Sequence, residues 1–415
     1  MIEAARKIIL STLISIIFCL SVFSQGRNLV IQEIAVFGNS RMKASAIKRV
    51  MRLREGQAFE QDMIQNSQKR LERLGVFKHV SIEKKSGKHG VILIVTVKEK
   101  ALFFINPVIN IGGKTDFNFN EEEEKSFYGA EIGVNDFSGR SHHLSLEAGI
   151  GKLKKIGLRY ENDYFTDLFW GLGLTNLWYK SKIYESDVEK QVASLFVGKT
   201  LAKFEALLWA RYDRIKFEIH PSLDDVEKFY KIGINITYNS KDWDIFPSQG
   251  FISKMGAYKA LNPRGTSIYD RYMFEFSSYH NVIRKHVLAL NVNAVVSSGD
   301  VPLSDRLYFG GYKTLRGVPI GTYSGNNSVV FSSEYRMPLT RFNQNQPREG
   351  MQGTSVYLFL DVGAITERVR DLRLKGFRAN SGLGFFWILS PEGGLRIDLS
   401  LQPEVRVSVS SLWKF

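Results

Sequence analysis

"VRVSVSSLWKF", Val405–Phe415, is the stretch on which the fold turns. Val405, Val407, Val409, Trp413 and Phe415 fall on one face of an extended chain, and Arg406, Ser408, Ser410 and Lys414 on the other. A two-residue period of this kind marks a strand with one apolar face. Two architectures use such strands: a secreted β-sandwich, and a barrel that turns its apolar face to lipid. A sandwich has no reason to finish on an aromatic residue, so this ending favours the barrel.

The chain before it follows the same rule. From Leu102 onward no amphipathic helix pattern is found. Segments of about ten residues alternate in polarity instead, separated by Gly, Asn, Asp, Ser and Pro. Sixteen can be counted, starting near residues 103, 127, 142, 154, 168, 190, 203, 228, 250, 269, 286, 328, 353, 377, 393 and 404. An even number of short strands is what a transmembrane barrel requires. The 17 Tyr, 29 Phe and 6 Trp suit aromatic girdles at the two membrane interfaces. The last strand also resembles the C-terminal sorting signal of bacterial outer-membrane barrels.

The N-terminus has the layout of a secretory signal peptide. Arg6 and Lys7 precede the apolar run Ile8–Phe23, and Val22 and Ser24 form a small-residue cleavage site before Gln25. The run is shorter than the roughly 20 residues that span a bilayer. Cys19, the single cysteine, lies inside it, so the mature chain is expected to carry none.

Between this segment and the barrel the pattern is βααββ. "LVIQEIAVFGN" (Leu29–Asn39) is a strand with a Gly38-Asn39 turn. "KASAIKRVMRL" and "FEQDMIQNSQKRLERLG" carry apolar residues at helical spacing, and "FKHVSIEKK" and "VILIVTVKEK" are two further strands. Order, the "FGN" turn, "LREGQAF" and "LERLGVFKHVSIE" all resemble a POTRA domain, the periplasmic module of outer-membrane assembly proteins. Residues 27–100 hold sixteen Lys/Arg against seven Asp/Glu, a large share of the chain's excess of +14. Such a module offers a sheet edge to an extended client strand, or serves as a passive basic spacer. The expected organisation is a signal peptide over 1–24, a small α+β POTRA domain over 25–101, and an all-β, 16-stranded antiparallel transmembrane β-barrel over 102–415.

The connection from Ser298 to Asn327 is too long for an ordinary loop and too rich in apolar side chains for disorder. Its glycine-rich half, "GGYKTLRGVPIGTYSGNN", has no Gly-Lys-Ser/Thr, so it is not a P-loop. Arg316 is the single arginine there, and a cation folded into a barrel lumen needs carboxylate partners. In "SVVFSSEYRMPL" Glu334 falls opposite the apolar face, as does Asp361 in "SVYLFLDVGAI", so both are expected to point inward. "LYFGGYKTLRGV", with "EYRMPL" and "FLDVG", resembles the BamA/TamA-type outer-membrane assembly family (bacterial surface-antigen superfamily). The resemblance implies that Arg316 and Gly317, after the loop glycines Gly310 and Gly311, lock the loop in the lumen against Glu334 and Asp361. Val318 departs from it, since the family prefers an aromatic there. "NDFSGRSHHLSLEAGIG", "NSKDWDIFPSQGF" and "LSPEGGLRIDLS" are further echoes.

Other chemistry is poorly represented. No Gly-x-Ser-x-Gly elbow occurs, and His142 and His143, adjacent on a strand, face opposite ways and cannot chelate one metal. The acidic run with Asp116 and Glu121–Glu124 is a solvated loop or a cation site. No nucleic-acid motif accompanies the positive charge. The expectation is a non-enzyme without metal or cofactor, in the outer membrane of a Gram-negative bacterium with its POTRA domain in the periplasm. The family implies a role in inserting, assembling or translocating client proteins or lipid-linked cargo. Its partners would be the lipid bilayer, unfolded or β-strand clients at the POTRA edge and barrel seam, and periplasmic or lipoprotein accessory subunits. Pro107 removes a ladder donor from the first barrel strand, which must meet the strand bearing Trp413 and Phe415. That seam is either a lateral gate or a tolerated bulge. A passive pore or surface antigen, and a two-partner-secretion transporter, are the alternatives.

Overall fold

The computed structural model describes residues 29–410, apart from 89, 111–125, 138–140, 166–167, 182–183, 221–222, 243–245, 284, 312, 320, 341–352, 391–392 and 402–404. The signal segment, the acidic run, Trp413 and Phe415 lie outside the described residues. The chain divides into two compact units between Ala101 and Leu102.

The first unit is β1 (Ile31–Phe37), α1 (Ala44–Met51), α2 (Asp62–Arg73), β2 (Phe77–Ser86) and β3 (Val91–Glu99). β3 is central, parallel to β1 and antiparallel to β2. Its alternate residues Val91, Leu93, Val95 and Val97 are buried, as are Ile47, Met51 and Leu71 of the helices. The two helices are joined by polar contacts as well: Ser67 Oγ and Arg70 Nη1 donate to the Met51 carbonyl at the end of α1, at 3.1 and 2.8 Å. Gly38 takes φ +79°, and the Asn39 amide donates to the Met42 carbonyl at 2.8 Å.

Glu99 organises this turn. Its carboxylate accepts from the Arg41 and Met42 amides at 3.0 Å, the Ser40 hydroxyl at 2.8 Å and Arg41 Nε at 3.0 Å. Burial opposes its charge, yet these donors outweigh it and bring the carboxyl down to about 2. An unfolded Glu titrates near pH ~4.3, so the stabilisation is complete above that value and drains as pH falls toward 2. Glu99→Gln is expected to lower hydrogen-exchange protection at residues 40–42 at pH 7, with the difference from wild type shrinking as the pH falls through 4 toward 2.

The second unit is a 16-stranded antiparallel sheet of the barrel class. Its strands are β4 (Phe103–Asn110), β5 (Phe127–Asn135), β6 (His142–Gly151), β7 (Leu153–Phe165), β8 (Leu168–Ser181), β9 (Ser186–Leu201), β10 (Phe204–His220), β11 (Leu223–Asn239), β12 (Gly250–Leu261), β13 (Ser267–Asn281) and β14 (Val287–Gly299). After two short loop strands, β15 (Leu307–Phe309) and β16 (Tyr323–Gly325), it resumes with β17 (Asn327–Pro338), β18 (Gly353–Thr366), β19 (Arg378–Ser390), β20 (Gly393–Ser400) and β21 (Arg406–Ser410). β14 pairs with β17 across the loop. The β4–β5 ladder keeps one register through Pro107, so the proline makes no bulge on that side. Among the described residues no ladder joins β4 to β21.

Strands β9, β10 and β11 run to 16, 17 and 17 residues, longer than the ten or so that alternation suggested. The extra residues lie beyond the membrane band, whose limits the outward aromatics mark. Phe204, Tyr238, Phe251 and Phe276 form one row, with successive ring centroids 4.7, 5.0 and 5.7 Å apart. Tyr212 and Tyr230 form another, 5.1 Å apart. Exposed Leu208, Ile232, Ile234 and Ile236 lie between. From Phe204 to Tyr212, at ~3.3 Å per residue and ~40° tilt, the band is about 20 Å tall, close to the apolar belt of outer-membrane barrels. β10 continues beyond it to His220, where charged outward residues no longer advertise a membrane strand.

Candidate functional site

The loop between β14 and β17 is folded inward. It begins with a short 3-10 turn, Leu303–Asp305. Asp305 accepts from Lys231 Nζ at 2.6 Å and from the Tyr269 hydroxyl, while Arg271 Nη2 donates to its carbonyl at 2.7 Å. β15 and β16 then pair with each other and hold the loop's middle closed. Within it Gly310 and Gly311 take φ +117° and +82°, Gly310 N–H donates to Thr314 Oγ1 at 2.9 Å, and Gly311 N–H donates to the Val318 carbonyl at 2.7 Å. Val318 packs with Phe309, Leu315 and Val330, so a small aliphatic side chain fills the place where the family resemblance implied an aromatic.

This turn carries Arg316, which is fully buried. Its Nε and Nη2 each lie 2.7 Å from an oxygen of Asp361, the bidentate geometry that suits a guanidinium. Nη1 reaches Glu334 Oε1 at 2.6 Å and Asp398 Oδ1 at 3.5 Å. Glu334 is shared further: Arg396 Nη2 approaches the same oxygen at 2.8 Å, and Arg336 Nη2 the other at 2.9 Å. Arg396 Nε in turn meets Asp398 Oδ2 at 2.7 Å, and the Tyr357 hydroxyl donates to Asp398 at 2.9 Å. Three arginines and three carboxylates, all at most 1 % exposed, thus form one electrically balanced cluster. A single guanidinium buried here would lose several kcal/mol of solvation.

The walls are built to fit it. Arg316, Arg396 and Arg336 lie over the rings of Phe359, Tyr357 and Tyr279 at 3.7, 4.8 and 5.6 Å. Phe359 and Tyr357 lie flat because their cross-strand neighbours on β19 are Gly382 and Gly384. A Cβ at Gly384 would stand 2.2 Å from the Tyr357 ring, and one at Gly382 2.6 Å from Phe359. Gly317, at φ +86°, brings the loop tip against β20, where a Cβ would stand 2.4 Å from Ser400 Cβ.

Arg316, Gly317, Glu334 and Asp361, read from the sequence, are together in this cluster. Alternation also puts Arg336 on the face of Glu334 and Tyr357 on that of Asp361, but no role in the lock follows for them from the sequence, and Arg396 and Asp398 are not among the expected site residues. Arg396 and Asp398 stand two apart in "GGLRIDLS", the spacing that puts two side chains on one strand face, and this signal was available. The pairing of glycines with aromatics across β18 and β19 needed the register. Among the described residues no group of three or more His, Cys, Asp or Glu could hold a metal ion.

A 16-stranded barrel with an inward loop, pinned through an arginine to the C-terminal strands and preceded by a POTRA unit, defines an outer-membrane barrel of the POTRA-bearing class. The chain belongs to the Omp85 superfamily, whose domain model matches residues 136–403. The POTRA model, described as surface antigen variable number repeat, matches residues 29–100. The outer membrane protein assembly factor BamA of Nitratidesulfovibrio vulgaris is 25% identical over 321 residues, covering 71% of this chain and 38% of that protein. The chain thus spans well under half of that relative. Haemophilus ducreyi BamA lacking POTRA domains 1-3 is similar in structure at 19% identity with a TM-score of 0.67, covering 93% of this chain and 85% of that one. CdiB from Escherichia coli follows at 13% identity and a TM-score of 0.64, covering 92% and 75%. These likenesses establish the fold. The chain is an outer-membrane barrel protein with its POTRA unit in the periplasm.

Arg316→Ala leaves Asp361 and Glu334 short of a partner and is expected to cost about 3–5 kcal/mol of barrel stability. It should expose the loop to protease added outside whole cells. Protection equal to wild type would rule out the lock. Gly317→Ala should lower the temperature at which the barrel loses its folded mobility on SDS gels, while Gly376→Ala, where an added Cβ meets open space, should not.

Proposed function

We propose that this protein assists the insertion, assembly or translocation of client polypeptides at the outer membrane, without catalysis or a bound cofactor. The observation that carries the reading is the balanced charge cluster. It ties the loop to β17, β18 and β20, and so stiffens the C-terminal wall next to the last strand. Among the described residues β21 pairs with β20 from Arg396↔Ser410 to Ser400↔Arg406. A rigid wall beside the last strand suits a template on which an incoming strand pairs by β-augmentation, with Pro107 weakening the opposite side of the seam.

The POTRA unit would deliver the client. Along β1, Ile31 N–H donates to the Gln57 carbonyl at 2.8 Å and Ile34 N–H to Glu55 at 3.2 Å, so this edge is partly occupied. β2 forms the other edge and carries Lys78, Lys84 and Lys85. Its basic character favours acidic or amphipathic extended segments, and lipoprotein or periplasmic subunits would share this surface. A passive pore is disfavoured by the loop buried in the lumen.

Depletion followed by an outer-membrane protein census tests the role: levels of other barrel proteins or surface lipids should fall. Unchanged levels would leave the passive reading. Photocrosslinkers at Phe103 and Arg406 should capture client strands, and capture should weaken when Arg316 is replaced.

A further inference from the structure

The outward face of β10 and β11 carries an arrangement that loop anchoring does not use. Just beyond the Tyr212–Tyr230 pair, Arg214 and Lys228 stand directly opposite each other in the ladder. Their neighbours Asp213, Ile215 and Phe229 are buried inward, so strand alternation turns both cations outward. Like charges at directly opposed positions repel. Among the described residues neither side chain makes a hydrogen bond or ion pair. Lys216, one outward step further, differs: Glu189 faces it across the ladder and Glu218 lies 3.8 Å away. On the outward face the unmatched pair therefore sits in the row next to the aromatic girdle.

Beneath that row the wall is hollowed. Ala193 and Ala210 leave a depression between Leu172, Leu174, Leu195 and Ile232, forming an open groove of about 660 Å³ that is almost wholly apolar. These four larger side chains are 47–57 % exposed, on the lipid-facing surface. The groove lies on the membrane side of Tyr212 and Tyr230, and the cations lie on the far side. β10 and β14 run the same way, so this end of the barrel is the end that bears the inward loop.

We propose that Arg214 and Lys228 bind the phosphate headgroup of an outer-leaflet lipid whose acyl chain lies in the groove between β8 and β11. The phosphate cancels the cation–cation repulsion, and the aromatic pair marks the depth at which headgroup gives way to chain. A lipid is favoured over a soluble anion because the cations and the groove adjoin on one face.

The test uses the full chain in detergent, titrated with a fluorescent bis-phosphorylated lipid A, with diacylglycerol and inorganic phosphate as competitors. Retained heat-modifiable mobility on gels shows that each variant is folded. Arg214→Gln/Lys228→Gln should weaken lipid A binding by about tenfold or more, the scale of one lost charge-assisted contact, whereas Arg214→Lys should stay close to wild type. Ala193→Leu/Ala210→Phe, which fills the groove, should also weaken binding with both cations intact. Neither inorganic phosphate nor diacylglycerol alone should displace the lipid. Equal affinity in wild type and the double glutamine variant overturns the proposal. So does displacement by inorganic phosphate with normal binding to the groove-filled variant, which would reduce the site to a surface anion contact.

Discussion

A guanidinium taken out of water and into a barrel must be neutralised where it stops, and the second unit is organised around that requirement. Arg316 on its own would be expelled by desolvation. With Asp361 bidentate and Glu334 and Asp398 on its remaining side, it becomes the centre of a set in which every charge is matched. The partners come from β17, β18 and β20, so the loop cannot leave without breaking contacts to three strands. Because the groups are hydrogen-bonded to one another in fixed directions, the cluster specifies one loop position rather than a range of greasy ones.

The loop is held at a second level as well. Asp305 near its start is gripped by Lys231 of β11 and by Tyr269 and Arg271 of β13. Entry and tip are thus tied to different parts of the wall, and the paired β15 and β16 connect them. A segment fixed at both levels braces the barrel across its lumen. In a protein proposed to accept strands at its seam, such a brace lets one side yield while the other keeps its register.

Much of this was legible in the amino-acid order, for reasons that can be stated. The POTRA unit was readable because helical and strand periods both appear cleanly in fewer than eighty residues. Barrel strands were readable where they cross lipid, since alternation is strict only there. Past the outer girdle it fades: β11 begins at Leu223, yet "LDDVE" carries no apolar face, and the reading started near 228. Glu334 and Asp361 followed from side-chain parity on strands whose register the apolar residues fix. Arg396 and Asp398 obeyed the same parity, but nothing local links β20 to a loop 82 residues earlier than Asp398. The roles of Gly382 and Gly384 depend on which ring lies across the ladder, and that is a property of the folded sheet.

The central claim is that Arg316 and Asp361 are coupled energetically in the folded barrel, with the loop inside. A double-mutant cycle on unfolding in lipid bilayers, using Arg316→Ala, Asp361→Ala and the pair, measures that coupling directly. The account predicts a coupling of about 2–3 kcal/mol, with the double variant less damaged than the two single losses summed. Additive losses, with a coupling near zero, would contradict it.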